Sequence, residues 1–464
     1  MEENYVDSDY IVSYSRFYYL SHIDIPKYCG RMHFFSSQLK HDDLFKLSSH
    51  HKKSYLGFTV LRPTPVNVIG RTVVRPQAQT PAQYITCAET YDVNLAGNSL
   101  KATGACFQQQ DSQVAVCASS AVFMATRYMA AKFGLPYRTT TEISELACQY
   151  DSILGRGIPS RGLSTGQIGR VLNSIGYDVL IYGDQNSSFD LMGAVHRVIE
   201  SEIPVIITFE IMEGKSKGLS HAVTVVGHQW ESNSKDGWKE QEAEVFGRDG
   251  RKQIKKYCTT ASLIGRFVTL DDARGPYRTL QFDPASDRVL HCEDSDCGGY
   301  LECSLQSVII PLPRGIWLSG EQAERKAFSL LLASAEASNG EIRLPRHTVL
   351  RTYLKSSNQM KCDSAEPDMG VPIEIQLRTR GTQMPKYVWI TEVTDRRLAR
   401  KRLKIGEVVI DPSSSPWGHD FLLLHVSGRL ASQDFTSAPY VGWQGAYSML
   451  CRPTLEDRHL AQFA

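Results

Sequence analysis

Long apolar runs are missing from this chain. None approaches the roughly 18 residues that a membrane-spanning helix needs, so no helical anchor and no membrane partner are expected. An excess of charge is missing too. Lys and Arg number 51 against 50 Asp and Glu, a formal net charge of +1. The chain as a whole therefore has no electrostatic pull on nucleic acid or an anionic membrane, and a nucleic-acid partner is not expected. The opening residues, "MEENYVDSDYIVSYSRF", lack the basic start and apolar core of a secretory leader. No internal repeat or low-complexity tract appears, which excludes solenoids and fibrous arrays. The 11 cysteines include no C-x-x-C pair. With no leader, an odd count reads as reduced thiols in a cytoplasm, not as a disulfide framework. A working thiol would stay available there.

The composition itself is that of a globular protein, 42% hydrophobic and 22% charged over 464 residues. Two or three domains suit the length. Residues 1–80 read as a β-rich N-terminal region, with strands at "MHFFSS" and "SYLGFTVLRP". "RTVVRPQAQTPAQ" follows as a linker. Residues 81–310 form the most regular part. Cys117 to Phe133 carries helical spacing and is stopped by Gly134 and Pro136. "STGQIGRVLNSIG" opens a helix with Ser164 and Gln167 at capping-box spacing and Gly176 at its end. "YDVLIY" is a strand, "FDLMGAVHRVIESE" a helix, and "PVIITFEI", "HAVTVVGH" and "GRFVTLDD" are strands. Trp230 to Ser262 reads as a surface excursion or a lid between the last two. Residues 311–464 suggest an α+β domain, with a helix capped by Ser319 and strands at "YVWITEV", "EVVIDP" and "DFLLLHV". The fold class expected is α+β, helices leading and an antiparallel sheet half following.

The chemistry concentrates around "SQVAVCASSAVFMATRYM". A thiol attacks as thiolate, and a helix N-terminus and a neighbouring imidazole both favour that form. Cys117 opens a helix, and Ala118, Ser119, Ser120 and Ala121 leave space beside the sulfur for a substrate backbone and a facing strand. His221 opens an apolar strand and is the candidate base. An imidazole needs a third group to fix its tautomer. Asp271 and Asp272 end the next strand and are the candidates. Oxyanion donors are the Cys117 amide and a side-chain amide from "FQQQDSQ", Gln110 or Gln113.

Glutamine, cysteine at a helix start, histidine opening a strand and aspartate after the next strand, in that order, resemble the papain-like cysteine peptidases. The segments are most similar to the bacterial peptidase domains that cut after double-glycine leaders. "QQDSQVAVCASSAVFMATRYM" resembles the glutamine-to-cysteine segment and nucleophile helix. "HAVTVVGH", with Gly227, resembles the histidine strand. "DDARG" resembles the aspartate turn, and its spacing to Gly275 favours Asp271. The resemblance covers roughly residues 105–285. The chain departs from the family at Ala118 and Ser119, where glycine, often followed by proline, is usual. The family glutamine lies six residues before the cysteine; Gln110 lies seven before and Gln113 four.

The resemblance implies a papain-like core and a Cys-His-Asp peptidase working through an acyl-enzyme on a protein or peptide, with no cofactor and no metal. It implies a regulated processing protease, for example in bacterial stress or phage defence, whose outer domains select substrate or bind a regulatory protein partner. Acyl transfer of the transglutaminase kind uses the same triad, and an inactive scaffold binding a protein or nucleic acid is the rival from another class. Three further stretches carry polar clusters. "HCEDSDCGGYLEC" holds His291, Cys292, Cys297 and Cys303, a thiolate–imidazole set that reads first as a solvated loop. "DRRLARKRLK" carries six basic side chains and reads as a solvated hairpin connection. "DPSSSPWGHD", with His419, reads as a turn before a strand.

Overall fold

The structure is a computed structural model. It describes residues 1–65, 68–76, 83–111, 113–149, 162–183, 190–213, 216–231, 237–246, 251–293, 298–338, 342–415, 421–426, 429–432 and 447–448. Cys297 and His419 lie outside the described residues.

The fold is mixed α+β. The N-terminal sheet is antiparallel, in the order Glu2–Tyr5, Cys29–Phe35, Tyr55–Leu61, Ile69–Val74 and Cys106–Phe107. Helix Ser8–Arg16 accompanies it, capped by Asp7, whose side chain accepts the backbone N–H groups of Asp9 and Tyr10. "RTVV" is thus a ladder strand and not a linker, and the sheet takes its last strand from beyond residue 80.

Four helices follow: Cys117–Phe133, Thr140–Cys148, Thr165–Ile175 and Leu191–Glu200. The two expected stops hold: Gly134 and Gly176 both sit at positive φ, 66° and 119°. Helix Thr140–Cys148 escaped the sequence reading, although Thr139 and Glu142 form a complete capping box. The first helix is the centre of the core. Every residue from Ala118 to Thr126 is buried, and Phe123, Met124 and Tyr128 are among the largest enclosed side chains. Each such side chain contributes roughly 1.5–3 kcal/mol of transfer free energy.

The sheet half closes on itself. Val205–Glu213, Ser216–Trp230, Ile264–Asp271, Gly275–Asp283, Ser286–Glu293 and Tyr300–Leu312 pair in sequence, all antiparallel, and the last returns to the first. A six-stranded barrel results, with Asp178–Gly183 added on its outside. The short strand Gln83–Tyr84 joins Ser216–Trp230, and Gly227 allows it: a Cβ there would lie 2.1 Å from the Tyr84 carbonyl oxygen.

The third sheet orders as Glu240–Phe246, Lys252–Thr259, Thr348–Ser356, Tyr387–Asp395, Gly406–Ile410, Leu423–Val426 and Arg429–Ser432, with helix Gly320–Ala337 against it. Its first two strands come from the stretch between the two late barrel strands. That stretch is therefore a hairpin built into the C-terminal sheet, parallel to Thr348–Ser356 at Cys258 and Thr259, and neither an excursion nor a lid. One hydrophobic cluster runs from Tyr10 to Val426, across the positions expected as boundaries. None of the described helices is long and apolar enough to cross a membrane.

Candidate active site

The site forms where helix Cys117–Phe133 crosses the barrel. The small residues after Cys117 explain the approach. Ala118, Ser119, Ser120 and Ala121 are all buried, and the Thr224 hydroxyl of strand Ser216–Trp230 donates to the Ala121 carbonyl at 3.0 Å. They bring helix and strand together and are covered by protein, so the space read beside the sulfur is already filled on that side. Cys117 itself is the first helical residue and half-buried. It therefore meets the positive end of the helix dipole while its sulfur stays reachable.

His221 sits on the adjoining strand, paired with Phe209 of the neighbouring one, and the two rings meet edge-on at 5.6 Å. The next ladder runs Thr224 to Leu270, so Asp271 emerges one step past it, diagonal to His221. Diagonal neighbours of adjacent strands share a face, and the two side chains meet: His221 Nε2 lies 2.9 Å from Asp271 Oδ1. With Nε2 so committed, Nδ1 is the nitrogen left for the thiol, and Cys117 is among the side chains that raise the imidazole's pKa. His221 is buried; burial pushes its pKa down, but the hydrogen bonds to Asp271 and Cys117 and the charges of Asp271 and Asp272 outweigh it and hold the imidazolium up to about 10.

Asp271 is the more committed carboxylate. Oδ1 also accepts the backbone N–H groups of Ala273 and Arg274, at 3.0 and 3.1 Å, and the Arg274 guanidinium binds Oδ2 at 3.1 Å. Burial raises its pKa, but the His221 bond and charge and the Arg274 charge prevail and leave it at about 2. The turn is closed by Gly275 at φ 115°, a conformation that favours glycine. Asp272 is the opposite case. It is fully buried, 3.7 Å from His221 Nε2, and its carboxylate oxygens have no hydrogen-bond partner beyond its own amide. Burial, reinforced by the Asp271 charge and opposed by His221 and Arg274, pushes it up to about 7.

The donor atoms of His221, Asp271 and Asp272 lie within 4.8 Å of one another, a spacing that suits a metal ion. The Asp271 oxygens already accept two backbone amides and the Arg274 guanidinium.

Cys117, His221, Asp271 and Asp272 thus meet in one cluster. The glutamines do not join them by hydrogen bonds. Gln110 is half-buried and Gln113 exposed, both on the loop ahead of helix Cys117–Phe133, and among the described residues neither side-chain amide is hydrogen-bonded. The described members of the thiolate–imidazole set diverge: along strand Ser286–Glu293 the side chains alternate, Cys292 is buried against Cys303, and His291 turns to Asp283 at 3.2 Å. None of the nine described cysteines is in a disulfide. The basic stretch forms a short helix, Arg396–Arg400, between paired strands, but its last member is not solvated. Lys404 is buried between Glu392 and Glu407, at 2.8 and 2.7 Å.

Two participants went unread in the sequence. Arg274 stands three residues after Asp271, a spacing that closes an ion pair across a turn. Asp111 caps the loop before Cys117, and an aspartate opening a polar loop is itself a turn signal. Compared with known protein families, the chain matches none, and no curated protein matches it.

Proposed function

We propose that the chain is a thiol hydrolase of protein or peptide amides, built on a papain-like core. The observation that carries the reading is the meeting of three side chains from three elements: the Cys117 thiol at a helix start, His221, whose pKa that thiol helps to raise, and Asp271 2.9 Å from His221 Nε2. In this reading His221 already holds the thiol's proton as an imidazolium beside the Cys117 thiolate, and the sulfur attacks the substrate carbonyl carbon. The Cys117 amide and the Gln110 or Gln113 side chain donate to the oxyanion. His221 returns the proton to the leaving amine, and water then releases the acyl group through the same base. Asp271 keeps the imidazole in the tautomer that presents Nδ1 to sulfur. A nucleophilic thiol needs a reducing compartment such as the cytoplasm, and the large flanking regions suit a regulated protease that meets a protein partner.

Labelling with iodoacetamide at neutral pH tests it, with exposed Cys362 as the reference thiol of the same chain. Cys117 should label far faster than Cys362 and lose that advantage in His221→Ala. Equal rates in the wild type would sink the proposal. New protein termini made by the wild type and absent with Cys117→Ala would then name the substrate; acyl transfer would instead leave an amine-adducted product.

A further inference from the structure

One buried carboxylate near the cluster has no part in the relay. Asp111 is 4% exposed and lies six residues before Cys117. Its Oδ1 accepts three successive backbone N–H groups, from Gln113 at 3.0 Å and from Val114 and Ala115 at 2.8 Å each. Its own N–H donates to the Ala115 carbonyl at 3.0 Å. Ala115 precedes Val116, the cap residue of the nucleophile helix. One side chain therefore fixes the path of the peptide planes that lead into the candidate nucleophile.

The other oxygen is held from far away in sequence. The Tyr18 hydroxyl donates to Asp111 Oδ2 at 2.8 Å. Tyr18 is buried, in the short turn Tyr18–Leu20 of the N-terminal region. Burial and the Asp111 charge push the phenol pKa far above its usual range, so the hydroxyl stays a donor. The same region reaches the loop by a second route. Ser13 Oγ meets Thr141 Oγ1 at 2.7 Å, and from that helix Ser144 Oγ donates to the Val114 carbonyl at 3.2 Å. Inside the loop the Val116 N–H donates to Ser119 Oγ at 3.0 Å. Remove the carboxylate and three N–H donors lose their acceptor in a mostly buried place. The loop would have to refold locally, and the start of the helix would move with it.

We propose that Asp111, tethered by Tyr18, is the positioning residue of the nucleophile loop: it sets the orientation of the Cys117 sulfur and amide toward His221, and makes the N-terminal region part of the site's architecture. The inference rests on Cys117 being the nucleophile.

The test uses the full chain and the ratio of Cys117 to Cys362 labelling by iodoacetamide, with melting temperature recorded alongside. Asp111→Ala should slow Cys117 about 10- to 100-fold, the scale of a misplaced reacting group, and leave Cys362 unchanged. Asp111→Asn keeps an oxygen that accepts N–H bonds and should recover most of the rate, a rescue that loss of bulk stability alone would not give. Tyr18→Phe removes one hydroxyl from a packed ring and should slow Cys117 several-fold at most. It decides the matter should Asp111→Ala fail to fold, since a wild-type ratio in Tyr18→Phe overturns the tether. A wild-type ratio in a folded Asp111→Ala overturns the whole inference. If Cys117 in the unsubstituted chain is no faster than Cys362, the nucleophile reading is what falls.

Discussion

Strand Ser216–Trp230 carries two buried histidines, His221 and His228, and they live in different electrostatic worlds. His221 leans on Asp271, faces a half-buried thiol and has beside it a carboxylate, Asp272, whose oxygens are nearly uncommitted. His228 begins a chain of buried polar contacts. It meets Glu200 at 2.5 Å; Glu200 meets Arg351 at 3.0 Å, and Arg351 meets Glu392 at 2.7 Å. Glu392 then meets Lys404 at 2.8 Å, Lys404 meets Glu407 at 2.7 Å, and Glu407 meets His425 at 3.1 Å. The chain leads from the barrel into the C-terminal sheet, and every member is buried. A third histidine supplies the control. His196 is equally buried, but its nearest carboxylate, Glu200, is 3.9 Å away, and burial holds its pKa down at about 3. Burial thus leaves the His196 ring neutral, whereas Asp271 holds His221 as a cation. A network in which each charge is matched on both sides fixes two parts of a molecule together. A cluster that leaves a thiol and a carboxylate unmatched has capacity left for chemistry.

The sharpest way to break that contrast is to disable one histidine environment at a time. Asp271→Asn should slow substrate turnover and Cys117 labelling by roughly 10²–10⁴-fold, as loss of an orienting acid does, with folding preserved. His228→Gln should leave the Cys117 labelling rate of the folded protein at the wild-type value and lower its stability in urea. If His228→Gln proves as damaging to Cys117 as Asp271→Asn, the two environments are not functionally distinct.

Next in size is the network itself. Arg351 is the only cation named between Glu200 and Glu392 in the chain just traced, and it is 4% exposed. Arg351→Met leaves two buried carboxylates short of a counter-charge and should cost about 3–5 kcal/mol in denaturant unfolding, without a change in Cys117 reactivity below the transition. A loss under about 1 kcal/mol would say that the network contributes as little as a surface pair.

How much of this contrast could be read in advance follows from the kind of signal each part leaves. Cys117 and Asp271 were legible because a helix start and a strand end place residues by local rules; His221 was legible from the apolar run that follows it, although its strand begins earlier, at Ser216, and not at the histidine as expected. The barrel strands were legible as strands, yet the return of Tyr300–Leu312 to Val205–Glu213 was not, since period-two alternation is the same in an open and a closed sheet. The hairpin Glu240–Thr259 looked like an excursion because its charged residues, Lys252, Glu244 and Lys256 among them, pair across the strands on an exposed face. The ionic chain left no trace at all. Glu200, Arg351, Glu392 and Lys404 are the residues a sequence reader assigns to water, and only long-range packing puts them inside.

Asp272 sharpens the comparison through pH. Its folded pKa, about 7, lies above the ordinary carboxyl value of 3.8, so the folded protein favours the protonated form. The stability this contributes is complete below about pH 4 and is lost as pH rises through 7. Asp272→Asn stays neutral throughout. It should match the wild type near pH 4 and exceed it by pH 8.5, by up to about 4 kcal/mol from the three-unit shift. Urea titrations at the two pH values measure this; an equal difference at both would show that Asp272 is not held protonated.

The smallest expected effect lies at the far end of the same strand. The Arg402 guanidinium covers the rings of Tyr84 and Trp230 at 4.9 and 5.4 Å, and those rings pack beside His228. Arg402→Gln should cost about 0.5–1 kcal/mol by removing the cation from the ring faces, with no effect on Cys117. The residue also follows the Arg396–Arg400 helix at φ 56°, a left-handed position that glycine usually fills. Arg402→Gly loses the same contact but gains relief of about 1 kcal/mol or more of backbone strain, so it should unfold at higher urea than Arg402→Gln. The reverse order would mean that the left-handed backbone at 402 costs less than the contacts the longer glutamine side chain keeps, so that the His228 end tolerates its strain.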